Sequence, residues 1–127
     1  MKTGSCLCGS VAYEITGPMK DALACHCTQC RKQTGSYWIS SGVADSDLKL
    51  TKKDGLKWFA SSHEAKRGFC KECGSNLFWK QNGSDTTSIC VGGIDGKTEL
   101  KLEGHIFCAD AGDYYEIAGG DYKKPQW

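Results

Sequence analysis

The chain has 127 residues, 16 basic and 15 acidic side chains for a formal net charge of +1, nine cysteines, sixteen glycines and two prolines. One domain spanning residues 1–127 is the simplest organisation, since a chain of this size buries roughly two-thirds of its unfolded surface without covalent staples. No basic stripe suggests nucleic acid, no apolar run nears the roughly 18 residues of a membrane span, and no apolar segment follows Lys2 as in an export signal.

A cytoplasmic protein without nucleic-acid or membrane partners is therefore expected. In that reducing setting stable disulfides are rare, and an odd number of cysteines suits a disulfide framework poorly. The thiols point to metal.

In chain order, Ser10–Thr16 alternates Val11, Tyr13 and Ile15 with smaller or polar residues, which predicts a half-buried strand ending at the Gly17-Pro18 turn. Thr28–Thr34 is the one helix candidate, about two turns long, with Thr28 as N-cap and Gly35 as its stop. Tyr37–Val43, Gly55–Ala60, Asn76–Trp79 and Ser88–Val91 read as further strands. Glu99–Leu102 and His105–Cys108 are expected to pair across Gly104, a bend or bulge. The fold class is mainly β with one short helix.

The cysteines fall in clusters: Cys6-x-Cys8, Cys25-x-Cys27-x-x-Cys30 and Cys70-x-x-Cys73, with Cys90 and Cys108 outside them. Such turns present two thiolates to one face of a zinc tetrahedron. Cys6, Cys8, Cys70 and Cys73 divide off as a closed structural zinc site. Cys25, Cys27 and Cys30 then leave a second zinc with an open position, unless Cys90, Cys108 or a histidine closes it. Iron–sulfur ligation and a redox role for Cys70-Cys73 are the rival readings. Cys27 and Cys30 lie at the start of the helix, where its dipole, Arg31 and Lys32 favour thiolates; the plainer reading makes those two cations a solvated face.

The segments GSCLCGSVAYE (Gly4–Glu14), CHCTQCRKQTGS (Cys25–Ser36) and RGFCKECGSNL (Arg67–Leu77) resemble three signatures of the glutathione-dependent formaldehyde-activating family. VGGID (Val91–Asp95) and GHIFCAD (Gly104–Asp110) resemble its C-terminal part, Cys108 standing where an aliphatic residue is expected. The resemblance implies an Mss4-like β-tent of small antiparallel sheets, with Cys6, Cys8, Cys70 and Cys73 on a structural zinc. It likewise implies Cys25, Cys27 and Cys30 on a catalytic zinc, with glutathione or a similar small thiol as partner. The activity implied is that of a carbon–sulfur lyase making or breaking S-hydroxymethylglutathione. A non-catalytic zinc-stabilised binding module is the alternative, and a methionine sulfoxide reductase using Cys90 or Cys108 a third.

Among the remaining residues, His26 is expected to face away from the metal of its neighbours, His63 to sit in a loop, and His105 to be structural. Of the strand aromatics Trp38, Trp58, Phe59, Phe69, Phe78 and Trp79, most of them core, Trp38 is the nearest in sequence to the open zinc, and Gly92-Gly93 is read as a bulge.

Overall fold

The computed structural model describes all residues from Met1 to Trp127. The strands are β1 Lys2–Ser5, β2 Ala12–Ile15, β3 Ala22–Cys25, β4 Trp38–Ala44, β5 Leu48–Lys52, β6 Leu56–Ala60, β7 Ala65–Cys70, β8 Asn76–Gln81, β9 Thr86–Cys90, β10 Leu102–Ile106 and β11 Tyr122–Lys123. The α-helix is α1, Thr28–Thr34. The protein is mainly β, as its alternating patterns predict.

A small sheet runs β1-β2-β5, and a longer one β11-β10-β3-β4-β9-β8-β7-β6. Pairing is antiparallel except where β10 lies parallel to β3 and to β11. The expected pairing across Gly104 does not form: β10 runs straight through that glycine, and a register shift falls between Leu102 and Gly104. A Cβ on Gly104 would lie 2.5 Å from the Tyr122 ring, so the glycine lets β11 close on β10.

The core lies between the sheets. Tyr13 and Ile15 of β2 meet Val43, Phe78 and Ile89 of the long sheet, joined by Cys6, Val11, Cys70 and Leu77. Tyr13 packs edge-on to Phe78 with centroids 5.6 Å apart. Each such fully buried side chain contributes about 1.5–3 kcal/mol relative to exposure. Residues paired directly across antiparallel strands share a face. The register therefore puts Cys25, Trp38, Ser40, Cys90, Trp79, Arg67 and Phe59 on the side of the long sheet away from Ile89 and Phe78. No helix is long and apolar enough to cross a membrane.

Candidate metal and thiol site

Cys6 and Cys8 lie in the turn after β1, Cys70 ends β7, and Cys73 sits in the turn before β8. Folding brings their four sulfurs within 4.8 Å of one another. The Cys6–Cys8 and Cys8–Cys70 sulfurs are each 3.7 Å apart. A tetrahedral zinc with Zn–S near 2.3 Å has edges of about 3.8 Å, so the donor set fits that ion. All nine cysteines are free thiols.

Surrounding groups orient the sulfurs. The Val11 amide donates to Cys6 Sγ at 3.3 Å, and the Cys70 carbonyl accepts from Gly74 N at 2.8 Å, shaping the Cys70–Cys73 turn. The Ser75 hydroxyl holds the Cys73 thiol down at about 5, and Ser10 lowers that of Cys8. Burial pushes Cys70 up to about 11. The polar shell thus favours the anionic form at Cys8 and Cys73 while burial opposes it at Cys70, and a bound cation would favour thiolate throughout the cluster.

The second cluster is built on α1. Cys27 is the N-cap of the helix, its sulfur accepting from the Cys30 amide at 3.4 Å, so the cap lies one residue before the expected Thr28. The helix stops where expected: Gly35 adopts φ 89°, a left-handed conformation open to glycine, and its amide reaches the Arg31 carbonyl at 2.8 Å. Cys25, at the end of β3, completes a set of three sulfurs within 4.8 Å. Their protons are shared unequally. Hydrogen bonds from Cys25 and Cys30 hold the Cys27 thiol well below the usual range, and bonds to Cys27 and Cys30 push Cys25 up.

The cation at this cluster is Arg67, which the sequence reading passed over. Arg31 and Lys32 lie in the last turn of α1, away from its cap. Arg67, on β7 and only 7% exposed, brings Nη2 to 3.5 Å from Cys30 Sγ, while its Nε donates to Gln29 Oε1 at 3.3 Å. Its guanidinium carbon lies 5.8 Å from the Trp38 ring centroid. The available signal is an arginine three residues before Cys70, inside the RGFCKECGSNL segment at Arg67–Leu77.

No histidine joins either cluster. His26 is fully buried, donating from Nε2 to His105 Nδ1 at 2.8 Å and accepting at Nδ1 from the Tyr115 hydroxyl at 2.7 Å. The carbonyls of Ala118 and Gly119, each 3.1 Å from His105 Nε2, can only accept and so fix both tautomers along this chain. Burial lowers the His26 imidazole and raises the Tyr115 phenol, in each case toward the neutral form. His26 thus faces away from the cysteine cluster, His105 is structural, and His63 lies in an exposed bend.

Cys90 and Cys108 also stay outside both clusters. Cys108, in a short 3-10 turn, is half-buried and binds Lys124 through the backbone, as a small hydrophobe would. Trp38 is 6% exposed and borders, with Cys90 and Tyr37, an open hollow of about 790 Å³. Gly92 and Gly93 line it too, but as part of a 3-10 turn rather than the expected bulge.

This arrangement has relatives. The chain is 25% identical over 116 residues to an uncharacterized lyase of Schizosaccharomyces pombe, covering 91% of this chain and 84% of that protein. A crystal structure of a Rhodobacter sphaeroides protein superposes with a TM-score of 0.64 at 25% identity, covering 76% of this chain and 91% of that one. The family model of the glutathione-dependent formaldehyde-activating enzyme matches residues 1–110. The chain therefore belongs to the glutathione-dependent formaldehyde-activating enzyme family.

Proposed function

We propose that this protein is a zinc-dependent carbon–sulfur lyase acting on S-hydroxymethylglutathione or a related small-thiol adduct. Cys6, Cys8, Cys70 and Cys73 hold a structural zinc, and Cys25, Cys27 and Cys30 a catalytic one. The two-sheet architecture is assigned to the Mss4-like β-tent, and nine free thiols suit a cytoplasmic setting.

The observation that carries the reading is the three-sulfur cluster with a buried guanidinium beside it and no further protein ligand drawn in. A closed four-ligand site is typical of structural zinc, whereas three protein ligands leave a position for exchange. When bound there, zinc supplies Lewis acidity at an open coordination position. The chain's own groups prepare that position. Cys27 contributes a ready thiolate from the helix cap, and Arg67 offsets the negative charge of three sulfurs gathered in a half-buried place. The relay from Tyr115 through His26 to His105 fixes the backbone between Cys25 and Cys27.

In the synthetic direction the thiol S–H adds across the formaldehyde C=O. A carbon–sulfur bond forms, the carbonyl π bond becomes a C–O–H group, and the thiol proton ends on that oxygen. The reverse breaks the same bonds and nothing is oxidised. The uncatalysed addition is facile, so the test is exchange NMR of glutathione with ¹³C-formaldehyde, with and without zinc-loaded protein. Acceleration above the spontaneous rate is expected. An unchanged rate with both zincs bound removes S-hydroxymethylglutathione as the substrate and leaves another small-thiol adduct or a zinc-stabilised binding module.

A further inference from the structure

Residues Gly112–Gly120 link the turn after β10 to β11 and take part in no well-formed backbone–backbone hydrogen bond. The backbone is tied down immediately on either side, where Ala111 N reaches the Cys108 carbonyl at 3.2 Å and Asp121 N the Glu103 carbonyl at 2.6 Å. Side-chain bonds hold the span between. The Tyr114 hydroxyl donates to the Gly35 carbonyl at 2.7 Å. The Tyr115 hydroxyl donates to His26 Nδ1 at 2.7 Å and lies 3.4 Å from the Ser36 carbonyl. His105 Nε2 donates to the carbonyls of Ala118 and Gly119 at 3.1 Å. Glycines end the span, Gly119 and Gly120 at φ 79° and 75°, where a side chain would be strained.

These bonds grip both ends of α1. His26 directly precedes the Cys27 cap, and Gly35 and Ser36 directly follow the last turn. The Tyr115 ring stacks on His26 with centroids 5.6 Å apart and meets Tyr37 at 5.7 Å. A helix of 7 residues has no stability of its own in water, so its ends stay where tertiary contacts hold them. Cys27 caps this helix and Cys30 lies within it, so freeing either end would spread the three sulfurs. The span itself is lightly seated. Only Gly112, Tyr115 and Ile117 are half-buried and the rest is exposed. A segment with few buried contacts and no backbone ladder opens well before the fold as a whole.

We infer that Gly112–Gly120 is a strap that gates metal exchange at the three-cysteine site. Docked, it clamps α1 and keeps the three sulfurs at ligand spacing. Released, it frees the helix ends and lets the ion leave or enter. The inference rests on that cluster taking zinc, and concerns how the metal is held and exchanged rather than what the site acts on. Docking and binding are then linked, so that zinc at the three cysteines favours the docked strap as much as the docked strap favours zinc.

The test is limited chymotrypsin cleavage after Tyr114 or Tyr115 in the full-length protein, which requires those side chains to leave Gly35 and His26 and so reports the undocked strap. Cleavage should be about tenfold faster when a chelator has emptied the three-cysteine site and left the four-cysteine site filled. Zinc release and cleavage both pass through the undocked strap. Tyr114→Phe, at a side chain 61% exposed, should therefore raise both rates of the two-zinc protein by one common factor, roughly fivefold for a lost hydrogen bond. Unchanged release from the four-cysteine site shows that the variant is folded, and Tyr115→Phe should act in the same direction. Cleavage indifferent to zinc at the three cysteines, or a variant that moves one rate and not the other, overturns the proposal. A protein that binds a single zinc overturns it together with the second metal site. Coupling in a protein that does not accelerate formaldehyde exchange upholds the strap and removes S-hydroxymethylglutathione as the substrate; acceleration without coupling does the reverse.

Discussion

Arg67 Nη2 lies 3.5 Å from Cys30 Sγ, 37 residues away in sequence, and makes a strand of the long sheet an electrostatic partner of the helix-borne cysteines. Thiolates gathered in a half-buried cluster repel one another, and a buried guanidinium offsets that charge. Arg67→Met should speed chelator-driven zinc release from the three-cysteine site about tenfold, equivalent to ~1.4 kcal/mol. Arg67→Lys should recover part of the loss, and release from the four-cysteine site should not change. Stopped-flow release into a chromogenic chelator separates the two phases.

The two clusters should fail differently. Cys73→Ser removes a ligand that ties the turn before β8 to the one after β1, and loss of cooperative unfolding is expected, because structural zinc contributes directly to folding free energy. Cys27→Ser should retain a cooperative transition while abolishing formaldehyde exchange. Circular dichroism melts of the two variants, read beside zinc content, make the comparison; equal unfolding by both contradicts the division of roles.

Tyr115→Phe removes the donor to His26 Nδ1 and leaves a buried acceptor unpaired. A cost of about 1–3 kcal/mol is expected from denaturant unfolding. Slower exchange should accompany it, since His26 lies between two cysteines of the cluster. The segment that carries Tyr115 lies beyond the 1–110 family match, so this contact ties the C-terminal segment to the site.

Tyr13→Phe should behave in the opposite sense. The Tyr13 hydroxyl is buried without a hydrogen-bond partner, and the ring alone makes the edge-on contact with Phe78. Removing an unpaired buried hydroxyl should leave stability unchanged or raise it by up to ~1 kcal/mol. A shift in the denaturant midpoint at constant slope is the readout.

What could be read directly from the residues was local chemistry. The cysteine spacings foretold both clusters, and Gly35 marked the end of α1 because only a residue at ease with positive φ stops a helix that way. β3, Ala22–Cys25, escaped notice because Ala-Leu-Ala-Cys shows no alternation, and its neighbour β10 comes from a segment 80 residues later. β7 was hidden by Gly68 and by Arg67, a charge that belongs on no buried strand unless a partner waits for it. That partner is Cys30 on another element. The His26–His105 pair is likewise invisible in either local sequence, since it arises only when β10 aligns beside β3.

The most direct test of the central claim, that one cluster is closed and the other open to a thiol, is ¹¹³Cd NMR of the cadmium-substituted protein with and without glutathione. Two resonances are expected, one unmoved by glutathione and abolished by Cys73→Ser, the other shifting with glutathione and abolished by Cys27→Ser. Two resonances that both ignore glutathione would contradict the account, because a second cluster saturated by protein ligands has no place to handle a substrate thiol.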